Sequence, residues 1–115
     1  MSAHDFTVCE QTLGPANLIA LGGDLDSSTA PLVADALRRA TLGREGPIIV
    51  DLCKVSFIDS AGISTLLNGL QRLTREHRRM VVVCPPGELR RVFDLLGLIG
   101  TFELVDTRQD AAASG

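Results

Sequence analysis

The stretch IIVDLCKVSFIDSAGISTLL, residues 48–67, changes its hydrophobic period at Ser60. Before that serine, residues 47–52 (PIIVDL) form a short apolar, β-branched run that predicts a buried strand at the centre of a sheet. After it, apolar residues recur at the spacing of an amphipathic helix that runs toward His77. These residues are Ile63, Leu66, Leu67, Leu70 and Leu73. The stretch therefore predicts a strand, a loop and a helix, with one hydroxyl at the junction.

The sequence on both sides of this stretch continues the alternation of strands and helices. Residues 6–8 and 18–21 predict two strands that are joined as a hairpin near Gly14 and Pro15. Helical spacing predicts a helix that begins after the capping side chains of residues 26–29 and ends at Gly43. Residues 80–85 predict another buried strand, residues 86–98 a third helix and residues 102–105 a last strand. The predicted order is therefore ββαβαβαβ.

This order predicts one α/β domain over residues 5–106, with flexible termini at residues 1–4 and 107–115. Helical crossovers make neighbouring strands parallel, so we expect a mixed, mostly parallel sheet. A chain of 115 residues is long enough to bury one core without disulfides. Its three cysteines, Cys9, Cys53 and Cys84, include no close pair, which predicts reduced thiols rather than a disulfide framework or a zinc site.

The composition argues against several classes of protein. The net charge is -3 and there is no Trp or Tyr, whereas nucleic-acid binders present basic surfaces with aromatic side chains for stacking. No apolar run approaches the roughly 18 residues that a membrane span requires, and the first residues lack the pattern of a secretory signal. We therefore expect a cytoplasmic protein with no direct contact to nucleic acid or to a membrane.

Two polar loops follow predicted strands and lead into predicted helices. They are residues 22–29 (GGDLDSST) and residues 53–60 (CKVSFIDS). Loops that leave the carboxyl ends of parallel strands gather at one edge of the sheet, where ligands and partners bind. We therefore expect the polar side chains of both loops to converge, namely Asp24, Asp26, Ser27, Ser28, Asp59 and Ser60.

Three roles compete for Ser60. As a helix N-cap, its oxygen would accept the main-chain N–H of Gly62 or Ile63, which is typically worth ~1 kcal/mol. A cap alone does not explain Gly62, because glycine weakens a helix and in a first turn indicates a close approach to the backbone. As a hydrolase nucleophile, Ser60 would need a glycine two residues earlier, where Ile58 stands.

A catalytic serine would also need a nearby base. His77 lies at the far end of the same predicted helix and His4 lies in the N-terminal tail, so neither histidine suits that role. The chain has no loop for a nucleotide phosphate and no histidine–carboxylate cluster for a metal. The third role remains, in which Ser60 accepts a phosphoryl group from another enzyme, and the phosphate repels a partner because it lies beside Asp59.

Three separated motifs carry a resemblance to a known family. They are GDLDSSTA at residues 23–30, the strand and D-S-x-G segment at residues 48–67, and RRVFDLLGL at residues 90–98. In these motifs, which lie within residues 18–105, the sequence resembles the STAS-domain anti-sigma factor antagonists of bacteria, also called anti-anti-sigma factors. The resemblance implies a STAS-like single domain.

The resemblance also implies a mechanism. Ser60 matches the serine that is phosphorylated, Asp59 the acid before it, and Asp26 the acid of the first loop. The unphosphorylated protein would bind an anti-sigma factor that is a serine kinase and so release the sigma factor. The kinase, which holds ATP and magnesium, would inactivate the antagonist, and a serine phosphatase would restore it. The chain itself would then be no enzyme and need no cofactor. The implied partner contacts are Asp24, Asp26, Ser27, Asp59, Ala61, Gly62 and Ile63.

Two positions depart from the common pattern of the family. Ala61 stands where a second serine is frequent, which leaves Ser60 as the one hydroxyl of the pair, and Cys53 stands where serine is usual. Cys53 and Cys84 are expected at the carboxyl ends of neighbouring strands, where either a redox link or two inert thiols would fit.

An alternative function also stays open: a constitutive STAS binding module of a lipid-transport ABC system or of a stress-signalling assembly, in which Ser60 is only a cap. The sequence leaves the oligomeric state open between a monomer and a weak dimer.

Overall fold

The computed structural model describes residues 6–113, which form five strands and four helices. The elements are β1 (Thr7–Leu13), β2 (Ala16–Leu25), α1 (Ala30–Leu42), β3 (Ile48–Ile58), α2 (Ser60–Arg75), β4 (Met80–Val83), α3 (Glu88–Leu95), β5 (Glu103–Val105) and α4 (Arg108–Ala113). The strands lie in the order β1-β2-β3-β4-β5. β1 is antiparallel to β2, and the other neighbours are parallel. The predicted mixed sheet with β3 at its centre is confirmed.

The sheet has an apolar cluster on each face. Side chains alternate along β4, so Met80 and Val82 join one cluster while Val81 and Val83 join the other. The larger cluster includes buried residues of α1, α2 and α3, because parallel crossovers of one hand place these helices on one face. The smaller cluster includes Ala111 of α4.

β3 is longer than the predicted strand, which covered residues 47–52. It continues to Ile58 because β2 pairs with it in parallel as far as Leu25, which lies opposite Ile58. The β2–β3 register shifts after Ala20 and again after Gly23, and these irregularities break the alternation that marks a strand in the sequence. The second polar loop is therefore mostly strand, and α2 begins two residues after β3 ends.

α4 was not predicted, since residues 107–115 were expected to be a flexible terminus. The structure places a helix there, with Ala111 buried and Arg108 Nε 2.5 Å from Asp51 Oδ2 of β3. Both contacts join residues that are far apart in the sequence, so the local pattern does not reveal them. Residues 1–4, also predicted to be flexible, lie outside the described residues, and the domain limits 5–106 stay a prediction.

Candidate functional site at the Ser60 edge

Asp59, and not Ser60, caps the N-terminus of α2. The Asp59 Oδ1 atom accepts the main-chain N–H groups of Ala61 at 2.9 Å and Gly62 at 3.1 Å. The backbone of Asp59 is extended while Ser60 is already helical, so the side chain of Asp59 is the one that reaches the free N–H groups of the first turn. The first of the three roles considered for Ser60, that of helix cap, is therefore wrong. Ser60 is exposed, and its hydroxyl makes no hydrogen bond to another described residue.

Gly62 allows the close approach that was expected, but the approaching group belongs to the chain itself. A Cβ atom at this position would lie 2.7 Å from the carbonyl oxygen and Cγ of Leu25 and 2.8 Å from Cγ1 of Ile58. The main-chain N–H of Asp59 also donates to the Leu25 carbonyl at 3.2 Å. The first turn of α2 therefore packs directly on the ends of β2 and β3.

Asp26 organises the loop between β2 and α1. Its Oδ1 atom accepts the main-chain N–H of Ser28 at 2.9 Å, the Ser28 hydroxyl at 2.7 Å and the Thr29 N–H at 3.3 Å. The buried Thr29 hydroxyl donates to the Asp24 carbonyl at 2.7 Å and accepts the Asp26 N–H at 3.0 Å. The hydrogen bond from the Ser28 side chain is the main reason why the pKa of Asp26 lies below its ordinary value. This loop is therefore held in one shape before any partner arrives.

The two loops meet through their main chains at the carboxyl edge of β2 and β3, and the predicted convergence of their polar side chains stays a prediction. Asp24 lies opposite Phe57 in the register of the two strands, and Asp59 is bonded to Leu25. Among the predicted contact residues, Asp24 and Ser27 are exposed, and Asp26, Asp59 and Ala61 are half-buried. Gly62 and Ile63 are buried and belong to the packing of α2. We call the surface formed by residues 24, 26–28, 57 and 59–61 the Ser60 edge.

Two apolar side chains near these loops were missed by the sequence analysis. Phe57 and Leu32 are each 50% exposed, which is unusual for residues of this size. Strict alternation from the buried Val55 predicts that Phe57 is buried too, but the register shift after Gly23 turns it outward. The signal available in the sequence was the glycine pair before Asp24, since glycine in a strand often marks an irregularity.

The two loops of the Ser60 edge are acidic. Residues 23–29 and 56–62 contain three acids, Asp24, Asp26 and Asp59, and no Lys or Arg. At the end of β4 the sheet edge does carry a cation, since Arg90 donates to the Cys84 carbonyl at 3.2 Å. The carboxylates of Asp26 and Asp59 each have one oxygen engaged with main-chain N–H groups. A surface of this kind favours a partner that presents positive charge.

Cys53 and Cys84 are both free thiols that line one cavity between β3 and the start of α3. Cys84 follows β4 and is buried, whereas Cys53 lies inside β3 rather than at its end, because that strand is longer than predicted. Burial, reinforced for Cys53 by the neighbouring Asp51 carboxylate, raises the pKa of each thiol to about 11. Both thiols are therefore protonated at neutral pH, which disfavours attack on a disulfide or an oxidant.

Within residues 6–113, no three His, Cys, Asp or Glu side chains are grouped so that they could hold a metal ion. None of the helices in this range combines the length and the hydropathy needed to cross a bilayer.

Comparisons with known proteins agree with the fold and with the motifs. The family model of the STAS domain matches residues 10–111. The anti-sigma-B factor antagonist of Listeria monocytogenes is 30% identical over 87 residues, 75% of each chain. The anti-sigma-F factor antagonist RsfB of Mycobacterium tuberculosis is 29% identical over 112 residues, 96% of this chain and 91% of the relative. A crystal structure of an anti-sigma factor antagonist from Mycobacterium paratuberculosis superposes with a TM-score of 0.87 and 26% identity, covering 96% of this chain and 93% of the other. This protein is a member of the STAS domain family.

Proposed function

We propose that the protein is an anti-sigma factor antagonist that is switched by phosphorylation of Ser60. In its unphosphorylated form it binds an anti-sigma factor that is a serine kinase, and the sigma factor is released. The observation that carries this proposal is the exposed hydroxyl of Ser60, which bonds to no other described residue and lies at the start of a helix that Asp59 already caps. Its relatives from Listeria and Mycobacterium, named as anti-sigma factor antagonists, support the same assignment.

The chemistry of phosphoryl transfer falls to the partner. Transfer to a serine needs a base, a nucleotide and magnesium held in line with the hydroxyl. The residues that form the Ser60 edge include a hydroxyl and carboxylates but no Lys, Arg or His. The antagonist is therefore a substrate and binding protein rather than an enzyme. The kinase brings ATP and magnesium, and a serine phosphatase reverses the modification in the cytoplasm.

The Ser60 edge is the proposed contact surface for the kinase. Asp24, Ser27 and Asp59 supply polar contacts, Ala61 leaves space beside the hydroxyl, and the exposed ring of Phe57 supplies apolar area. Aromatic side chains, Phe among them, are enriched at protein interfaces relative to the rest of the surface. Asp26, Gly62 and Ile63 act indirectly in this proposal, because they shape the loop and the helix start that present the other side chains.

Phosphorylation would end this binding through charge and volume. A phosphate on Ser60 adds close to two negative charges next to Asp59, on a surface that is already acidic. The N-terminus of α2 stabilises the phosphate, so the modified edge is a stable state of the free protein. A partner fitted to the small hydroxyl then meets a bulky dianion, and each loss of about 1.4 kcal/mol lowers its affinity tenfold.

The test is the intact mass of the protein after incubation with candidate anti-sigma kinases, ATP and magnesium. We expect one added phosphoryl group on the wild type and on Ser64→Ala, and none on Ser60→Ala. Ser64 is the matched control because it is exposed on the same helix, one turn after Ser60. Phosphorylation of Ser60→Ala would contradict the proposal.

Binding supplies the second measurement. We expect the kinase to bind the wild type and Ser60→Ala. Its affinity for Ser60→Asp should be lower than for the wild type by at least roughly tenfold. If Ser60→Asp instead retains a transporter ATPase as well as the wild type does, the protein is a constitutive binding module and the switch is refuted.

A further inference from the structure

Within residues 6–113, the outer edge of β1 is a long, regular strand edge that pairs with no other described strand. Thr7–Leu13 pairs with β2 residue for residue, without a register shift, and β1 is the end of the sheet order. The strand contains no Pro and no Lys, and five of its seven residues are exposed. An edge with these properties offers its free main-chain N–H and C=O groups to another strand.

The other free edges of the described sheet are protected. β5 at the opposite end has only three residues, Glu103–Val105. The part of β3 beyond β4 is interrupted by the register shifts after Ala20 and Gly23 of β2, and Pro85 and Pro86 follow the end of β4. Short strands, irregularities and prolines all prevent pairing between molecules. β1 is therefore the described strand edge that is best suited to accept a partner.

We propose that β1 pairs antiparallel with β1 of a second copy of this chain, around a two-fold axis at Glu10. This arrangement uses all seven residues of the strand. It places Thr7 opposite Leu13 and Val8 opposite Thr12 of the second copy, which are cross-strand pairs of β-branched and apolar side chains. Antiparallel pairing of one strand with itself is self-complementary, so a two-fold dimer satisfies both edges at once.

The charge at the centre of this contact is already balanced. Glu10 would face Glu10 of the second copy, and like charges directly opposite each other destabilise a sheet. In this chain, however, the Glu10 Oε2 atom is 2.6 Å from Arg39 Nη2 of α1 and 3.1 Å from Arg39 Nε. Each copy therefore brings its own Arg39 to the two-fold axis. Two Glu10–Arg39 ion pairs then face each other there, instead of two Glu10 carboxylates alone.

The open face of β1 carries the second set of cross-strand contacts. Cys9 and Gln11 lie side by side there, with Gln11 Nε2 donating to Cys9 Sγ at 3.2 Å. In the proposed register, Cys9 of one copy lies opposite Gln11 of the other. This pair gives a direct test, because a thiol placed at position 11 would come within disulfide distance of the Cys9 thiol across the axis.

The expected dimer is weak and does not involve Ser60. Two paired strands of seven residues form a contact at the small end of protein interfaces, so we expect a dissociation constant between about 1 μM and 1 mM. β1 is separated from β3 by β2, so the start of α2 and the Ser60 edge remain free in both copies. Dimerisation and the proposed phosphorylation switch can therefore be tested independently.

The first experiment is a disulfide cross-link. Gln11→Cys is incubated with oxidised glutathione, which is reduced to two thiols for each disulfide formed. We expect a covalent dimer on non-reducing electrophoresis that the double variant Cys9→Ser/Gln11→Cys does not form. The two proteins share Cys53, Cys84 and the new thiol, so they differ only in the thiol opposite it. Equal cross-linking of both, or of neither, would overturn the proposed register.

The second experiment measures the mass of the unmodified protein by sedimentation velocity, from about 10 μM to about 1 mM. We expect the average mass of the wild type to rise toward that of a dimer. Cys9→Lys/Gln11→Lys places lysines opposite each other and should remain a monomer. Cys9→Lys/Gln11→Glu places opposite charges there and should dimerise again. Circular dichroism checks that both variants are folded. A wild type that stays monomeric throughout, or a dimer unaffected by the two lysines, would overturn the proposal.

Discussion

Ser60 and Asp59 are neighbours with different tasks. The carboxylate of Asp59 is bound to two N–H groups of its own helix, and the hydroxyl of Ser60 is left to solvent. A helix that depended on Ser60 for its cap would lose that cap on modification. With Asp59 as the cap, the hydroxyl can be changed while the helix start is retained.

This division of tasks predicts different effects on stability. Asp59→Ala should lower the free energy of unfolding by about 1 kcal/mol, because two N–H groups of α2 lose their acceptor. Ser60→Ala should change it by less than about 0.5 kcal/mol, since the hydroxyl bonds to no other described residue. Urea unfolding of both variants gives the two values. A larger loss of unfolding free energy for Ser60→Ala than for Asp59→Ala would show that Ser60, and not Asp59, is the effective cap.

Two glycines of α2 let neighbouring elements pack closely against this helix. Gly62 faces the backbone of Leu25, whereas Gly69 faces the side-chain ends of Leu37 and Met80. Main-chain atoms at the end of β2 cannot move without disturbing the sheet, while the ends of flexible side chains can turn aside. The contact of α2 with β2 is therefore more rigid than its contact with α1.

We expect Gly62→Ala to destabilise the protein by about 2 kcal/mol, although alanine favours a helix by about 1 kcal/mol over glycine. The reason is the 2.7 Å contact that the new methyl group would make with the Leu25 carbonyl. Gly69→Ala is the matched control in the same helix, because its nearest contact is Cδ1 of Leu37 at 2.9 Å. It should stay within about 1 kcal/mol of the wild type. Thermal or urea unfolding that ranks the two variants in the opposite order would show that the Leu25 contact is not decisive.

At the scale of the whole molecule, Asp51 connects the central strand with the last helix. Its Oδ2 atom pairs with Arg108 Nε of α4 at 2.5 Å, and its Oδ1 atom accepts the N–H of Cys53 at 2.8 Å. Burial by itself would raise the pKa of Asp51, but the hydrogen bonds from Cys53 and Arg108 together hold it below its ordinary value of 3.8. The carboxylate therefore stabilises the fold when it is ionised.

The lowered pKa of Asp51 predicts an acid-sensitive share of the stability. Because the folded protein binds this proton less readily than the unfolded chain, the contribution is present above pH 3.8 and is lost as the pH falls below that value. Asp51→Asn should lower the free energy of unfolding by about 2 kcal/mol at neutral pH. The difference in this free energy between the variant and the wild type should become smaller in acid. Asp110→Asn on the exposed surface of α4 is the control and should change stability by less than about 0.5 kcal/mol. Denaturant titrations at several pH values measure both, and a constant cost of Asp51→Asn at every pH would contradict the assignment.

The sequence by itself determined the order of the five strands and the first three helices, the parallel core and the placement of Ser60 at the start of α2. These features follow from the local hydrophobic periods, such as the change from strand to helix within residues 48–67, and from the short connections between elements.

Tertiary structure decided the rest. β3 is long because β2 pairs with its irregular second half, α4 is held by Asp51 and by the second apolar cluster, and Asp59 caps α2 because the end of β3 holds it extended. Phe57 is exposed because the register shift after Gly23 changes the face on which it lies. Each of these depends on contacts between residues distant in the sequence, and such contacts leave no local period to read.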